Sequence, residues 1–219
     1  RDGAGIGQMP EMAAAFVQPN DPAVEHILKA AAGVLHRAGK SGAIDGYKHG
    51  AKRAWELASA VWGAVVAMRL DYSLPPAGFE HTGQKVRGPS QVAESGLATC
   101  MDLALLFAAC LEQAHLNPLI VFLKGHAFVG LWLRPEEFST TVVDDVTALR
   151  KRVKLKELIL FETTLVTHRP VASFSQACEN AVKQIAGEHQ DAFELAVDVR
   201  RARMTRIKPL ASAEVPVAK

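Results

Sequence analysis

Apolar residues recur along this chain at two spacings, and each spacing predicts a different kind of element. Apolar positions three and four residues apart predict helices that begin near residues 22, 52, 99, 145 and 173. Asp21 is placed as the N-cap of the first helix, with Pro22 at its first helical position. Short apolar runs predict strands over 119–123, 126–133 and 158–164, while 192–199 fits either a strand or a helix.

This order of elements favours an α+β fold. The first elements are helices, and strands follow later in the chain, which is typical of a mostly antiparallel sheet with helices packed beside it. We expect one domain over 22–209, made of a helical part (22–70), a core (about 71–170) and a C-terminal helix and strand (171–209). Gly and Pro among small residues predict a linker over 1–21 and a tail over 210–219, as in a domain cut from a longer polypeptide.

Composition narrows the class of protein. Of 219 residues, 49% are hydrophobic and 22% charged, so the chain can bury a core and is not mainly disordered. A net charge of +2 favours neither a nucleic-acid nor a membrane partner, and the basic runs 150–156 and 200–203 contain no aromatic residue for base stacking. No apolar run near the middle approaches the roughly 20 residues of a membrane helix. Three cysteines are too few for a disulfide scaffold, so we expect a reducing, cytoplasmic setting.

The chemistry centres on Cys100. Thr99-Cys100-Met101-Asp102 stands directly before an apolar run and has the pattern of a capping box. Thr99 is therefore the predicted N-cap and Cys100 the first helical residue. The helix dipole then favours a thiolate at Cys100, and its backbone N–H has no acceptor within the helix. Such an N–H can stabilise an oxyanion, so Cys100 is the candidate nucleophile.

A nucleophilic cysteine needs a base and an acceptor that orients it. His126 opens a predicted strand and is the candidate base, although a histidine held by a nearby carbonyl is the alternative. Glu162 is a carboxylate within an otherwise apolar strand, where a charge is costly unless it is paired. Asp144 and Asp145 compete with Glu162 for this third position, although both are also placed to cap the helix that follows them.

These motifs together resemble the transglutaminase-like cysteine peptidase superfamily. The matching segments are Thr99-Cys100-Met101-Asp102-Leu103, Gly125-His126-Ala127-Phe128-Val129 and Glu162-Thr163, and the resemblance covers roughly residues 84–165. Many members carry Asp where this chain has Glu162. The resemblance implies a papain-like core with extra N-terminal helices, of the kind embedded in large bacterial multidomain proteins.

The resemblance also implies a function. It implies acyl transfer through a thioester, most simply a cysteine peptidase that cleaves peptide or isopeptide bonds with Cys100, His126 and Glu162 and with no cofactor. The expected partners are a protein or peptide substrate and other domains of the parent chain. Gln84 is the candidate second oxyanion donor, and Thr99 and Trp132 are the other candidates for oxyanion or substrate binding.

Other functions remain open at this point. A transglutaminase or deamidase would use the same three residues on a glutamine side chain. A non-catalytic scaffold of a larger assembly would need none of them. A zinc site is disfavoured because Cys100, His126 and Glu162 include no closely spaced pair of ligands.

Overall fold

A computed structural model describes residues 9–74 and 86–211 of the chain. Its α-helices are α1 (Pro22–Arg37), α2 (Gly50–Ala67), α3 (Pro89–Ser95), α4 (Cys100–Gln113), α5 (Val146–Lys154), α6 (Phe174–Gln184) and α7 (Val199–Met204). Its strands are β1 (Asp71–Tyr72), β2 (Leu97–Ala98), β3 (Pro118–Leu123), β4 (His126–Trp132), β5 (Val142–Val143), β6 (Leu158–Phe161) and β7 (Phe193–Asp198). Short 3₁₀ helices cover Pro10–Phe16, Thr163–Thr167 and Gly187–Ala192.

An antiparallel sheet forms the centre of the described part of the chain. Its five strands follow the order β5-β7-β3-β4-β6. Strands β3 and β4 form a hairpin in which Leu123 pairs with His126, and the turn is completed by Gly125 at a φ of 70°. Strands β1 and β2 pair in parallel, apart from this sheet. The predicted α+β class, with its antiparallel sheet, is confirmed.

Helix α4 is the most enclosed element. All twelve residues over 100–111 are buried, because the sheet covers one side of the helix and α1, α2 and α3 cover others. Four aromatic rings fill the space beside it, in contacts with centroid separations of 5.1 to 6.3 Å, and they belong to Trp62, Phe107, Phe161 and Phe174. A second apolar cluster on the opposite face of the sheet packs under α5 and the end of α6. The first residue of this buried run is Cys100, so the candidate nucleophile is anchored to the most enclosed helix of the described residues.

Local capping signals are confirmed. Asp21 accepts the N–H of Ala23 at the start of α1, and Asp145 accepts the N–H of Thr147 at the start of α5. The region 192–199, which fitted either a strand or a helix, contains β7. The predicted strand 158–164 is too long, because β6 ends at Phe161 and the Glu162 carboxylate accepts the N–H of Thr164 to begin a 3₁₀ helix.

The predicted linker over 1–21 is wrong for its described part. Ala13 and Ala14 in the 3₁₀ helix Pro10–Phe16 are fully buried. The guanidinium of Arg203 donates to the carbonyls of Ala14 and Val17 while it pairs with Glu112 at the end of α4. These contacts join residues about 190 positions apart, so composition alone could not indicate them.

Candidate active site

Cys100 lies at the first position of α4, where β2 turns into the helix. Gly96, at a φ of 67°, allows the chain to turn before β2. Thr99 accepts the N–H of Asp102, and the Asp102 carboxylate accepts the N–H of Thr99, so the capping box is complete. Cys100 is 7% exposed, and its thiol lies beside His126 and the backbone N–H of Ala127, both of which lower its pKa.

His126 connects the thiol to a carboxylate. Its Nε2 atom lies 2.7 Å from Oε2 of Glu162. Because Nε2 is engaged there, Nδ1 is the ring nitrogen that remains for the sulfur of Cys100. The imidazole side chain keeps 26% of its surface exposed, whereas that of Glu162 keeps 3%. The three predicted residues thus form a continuous chain from sulfur through imidazole to carboxylate.

Glu162 is held by hydrogen bonds on both of its oxygens. Oε2 also accepts from Nε2 of Gln184 on α6, at 2.6 Å. Oε1 accepts from the backbone N–H and from the hydroxyl of Thr164, at 3.0 and 2.7 Å. Hydrogen bonds to the ionised form keep a buried carboxylate charged. Although burial raises the pKa of Glu162, His126, Gln184 and Thr164 outweigh it, and the pKa lies below the ordinary value.

The electrostatics favour an ion pair between Cys100 and His126. Burial disfavours the thiolate, but the hydrogen bond and positive charge of His126 outweigh it and lower the pKa of Cys100. Burial also disfavours the imidazolium, yet the contacts with Cys100 and Glu162 raise the pKa of His126 to about 10. The two shifts have opposite signs, and both favour a thiolate beside an imidazolium over a neutral thiol beside a neutral imidazole.

The other two cysteines differ from Cys100. Complete burial in α4 raises the pKa of Cys110. Burial and the nearby Glu179 raise the pKa of Cys178, on α6, to about 12. Neither thiol is therefore prepared to react at neutral pH.

The substrate-binding prediction for Trp132 is wrong. Alternation along β4 does place Trp132 on the face of His126, but six residues at about 3.3 Å each separate the two by about 20 Å. Trp132 is fully buried there, and its indole N–H donates to the carboxylate of Asp198. The pattern indicated the face correctly and the position along the strand incorrectly.

The remaining predicted residues divide into three groups. Thr99 is buried and its hydroxyl serves the capping box, and a contact with substrate stays a prediction. Asp145 caps α5 and Asp144 is exposed, so Glu162 is the carboxylate that His126 contacts. Gln84 lies outside the described residues.

Two residues of the site, Gln184 and Tyr72, are not indicated by any of the sequence patterns described above. Gln184 lies at the end of α6, where a polar residue is common on an exposed face. Tyr72 in β1 lies beside Cys100, and the two side chains shift each other's pKa. This ring reaches the nucleophile through the pairing of β1 with β2, in which Asp71 lies opposite Leu97, 26 positions further along the chain.

No protein-family model, curated protein or solved structure matches this chain. Within residues 9–74 and 86–211, no three or more His, Cys, Asp or Glu side chains are grouped to hold a metal ion. None of the helices in those two ranges combines the length and apolar character needed to cross a membrane. What the chain does must therefore follow from the geometry of its own residues.

Proposed function

We propose that this chain is a thiol-dependent acyl-transfer enzyme, specifically a cysteine peptidase acting on peptide or isopeptide bonds. The observation that carries the proposal is the chain of contacts from Cys100 through His126 to Glu162 at the N-terminus of a buried helix. A cysteine at a helix start, a histidine opening a strand and an acid at the end of the neighbouring antiparallel strand also support a transglutaminase-like version of the papain-like core.

In the proposed reaction the Cys100 thiolate attacks the carbonyl carbon of the scissile bond. A carbon–sulfur bond forms, and the carbonyl π electrons move to the oxygen. As the intermediate collapses, the His126 imidazolium gives its proton to the departing amine, and a thioester to Cys100 remains. His126 then removes a proton from water, the resulting hydroxide equivalent attacks the thioester, and the released acid leaves the thiolate restored.

Glu162 has an orienting and electrostatic role in this scheme. Its carboxylate fixes the ring of His126 through Nε2, which keeps Nδ1 directed at the sulfur. The four hydrogen bonds that it accepts hold the carboxylate in place without further motion during the reaction.

The free thiols of Cys100, Cys110 and Cys178 fit a reducing compartment, so we place the enzyme in the cytoplasm.

An experiment that assumes no particular substrate sequence tests the proposal. Wild-type protein and the Cys100→Ala variant are incubated with a complex peptide mixture, and new peptide termini are identified by mass spectrometry. Cys178→Ser is the matched control, because it removes a thiol that lies outside the site. New termini that require Cys100 but not Cys178 support a peptidase.

A second arm separates hydrolysis from glutamine transfer. A labelled primary amine is added as the acyl acceptor, together with a glutamine-rich protein as the acyl donor. Cys100-dependent coupling without cleavage would identify a transglutaminase and contradict the peptidase assignment. Absence of both reactions, together with alkylation of Cys100 at the pH of an ordinary thiol, would contradict acyl transfer altogether.

A further inference from the structure

Tyr72 is fixed beside Cys100 by the backbone. In β1 it pairs with Ala98 of β2, two residues before the nucleophile. The N–H of Asp71 donates to the carbonyl of Gly96 at 2.8 Å, and that of Ser73 to the carbonyl of Ala98 at 2.9 Å. Backbone hydrogen bonds on both sides of Tyr72 therefore hold it to the segment that delivers Cys100 into α4.

The Tyr72 hydroxyl meets Cys100 at two atoms. The hydroxyl interacts electrostatically with both the sulfur and the backbone N–H of Cys100, and the pKa values of Tyr72 and Cys100 both respond to it. That N–H is the donor at the helix start that the proposed reaction uses to stabilise the oxyanion. The strand pairing thus brings the hydroxyl to the side of Cys100 at which the carbonyl oxygen of a substrate would meet the backbone N–H.

The phenol keeps its proton in this setting. Partial burial beside Cys100 and the negative charge of that thiolate raise the pKa of Tyr72 to about 12, although the residue is 39% exposed. When the sulfur is a thiolate, the hydroxyl can donate to it while the phenol oxygen accepts from the backbone N–H. A donor that already faces one negative atom can turn to an oxygen that becomes negative beside it.

We infer that Tyr72 is a catalytic residue that supplies the second hydrogen bond to the oxyanion, beside the backbone N–H of Cys100. The inference rests on the proposed acyl transfer. As the carbonyl oxygen arrives, the hydroxyl moves aside by about the width of one atom and redirects its proton from sulfur to oxygen. The backbone hydrogen bonds of Asp71 and Ser73 limit this motion, so the ring stays within reach.

A different role would follow if the hydroxyl blocked the site. The ring would then have to leave before any carbonyl could bind, and removal of the hydroxyl would accelerate acylation. The paired backbone of β1 argues against so large a displacement. The two roles predict opposite changes in rate, which makes them separable by experiment.

The test compares two reactions of the same thiol in the full chain. Alkylation by iodoacetamide forms no oxyanion, whereas acylation by p-nitrophenyl acetate passes through one and releases p-nitrophenol, whose ultraviolet absorbance is followed at each pH. Both rates are measured from pH 5 to 10 for wild type and Tyr72→Phe, with Cys100→Ala as the background. Tyr47→Phe is the matched control, since it removes a phenol that bonds to Asn117 and Trp132, away from the thiol.

For Tyr72→Phe we expect a higher pKa of Cys100 in the alkylation profile, because one donor to the thiolate is lost. At pH values where the thiolate is complete, alkylation should equal that of wild type, while acylation should fall by about 10²-fold, the usual effect of losing one oxyanion donor. Circular dichroism spectra of each variant serve as the control for correct folding. Tyr47→Phe should leave both plateau rates unchanged.

Acylation of Tyr72→Phe at or above the wild-type plateau would overturn the inference and leave the acyl-transfer proposal standing. If wild type itself shows no Cys100-dependent acylation, the proposed function fails, and the role of Tyr72 fails with it. An equal fall in both plateau rates would also overturn the inference, because the loss of an oxyanion donor should slow acylation selectively.

Discussion

Replacing Glu162 by Gln tests whether the carboxylate maintains the ion pair between Cys100 and His126. The substitution keeps the size of a side chain that is 3% exposed and removes its charge. The backbone N–H of Thr164 can only donate, so the carbonyl oxygen of the new amide must stay at that contact. The amide NH₂ then faces Nε2 of His126, which must become an acceptor. A neutral ring with its proton on Nδ1 can no longer serve as base toward the sulfur.

The size of the effect follows from the hydrogen bonds. A hydrogen bond to a charged group contributes about 1.5–3 kcal/mol, and 1.36 kcal/mol corresponds to one pKa unit. Loss of the charged contact at 2.7 Å between His126 and Glu162 should therefore lower the pKa of His126 and raise that of Cys100 by about 1–2 units. Below the wild-type pKa of the thiol, the rate of alkylation should fall by about 10- to 100-fold.

The assay is iodoacetamide alkylation as a function of pH, with the modified peptides of the three cysteines resolved by mass spectrometry. Glu157→Gln is the matched control, because it removes a half-buried carboxylate that pairs with Arg152 away from the site. If the Cys100 profile of Glu162→Gln superposed on that of wild type, the carboxylate would have no part in preparing the thiolate, and this reasoning would be refuted.

Three further predictions concern stability. Thr99→Ala should lower the free energy of unfolding by about 1 kcal/mol because α4 loses its N-cap, whereas Thr99→Ser should retain it in urea unfolding. Leu106→Ala should cost about 2–5 kcal/mol at a site 1% exposed, against less than about 0.5 kcal/mol for Leu155→Ala, which is 54% exposed; equal costs would contradict the assigned core. Because the pKa of His126 is raised, its contribution to stability is complete below pH 6.5 and is lost as the pH rises towards about 10. Because the pKa of Cys100 is lowered, its contribution is complete above pH 9.0 and is lost as the pH falls. The coupling free energy between Cys100 and His126, measured in a double-mutant cycle of alanine variants, should thus be greatest between pH 6.5 and 9.0. A coupling free energy that stays constant from pH 5 to 10 would contradict the ion pair.

Sequence patterns predicted the site where the signals are local. The capping box Thr99-Cys100-Met101-Asp102 lies within four residues, so the position of Cys100 on its helix could be read directly. The isolated charge of Glu162 among apolar residues indicated a partner, and the partner is His126.

The rest of the site depends on contacts distant in the chain. Tyr72 reaches Cys100 through strand pairing that no local pattern indicates, and Gln184 reaches Glu162 across 22 positions. Trp132 shows the opposite failure, because period-two alternation specifies a face of the strand but not a place along it. The 3₁₀ helix Pro10–Phe16 has the composition of a linker and is packed by contacts with Arg203 near the other end of the described chain.

The enclosure of α4 has a consequence for how the site is lost. The hydrogen-bonded amide protons of α4, from Asp102 to Leu111, should exchange with solvent only when the whole domain opens, since few local fluctuations can expose them. The nucleophile is attached to this slowly exchanging segment. Thermal inactivation should therefore follow the same transition as global unfolding, and the lifetime of a reactive Cys100 becomes a measure of the kinetic stability of the entire fold.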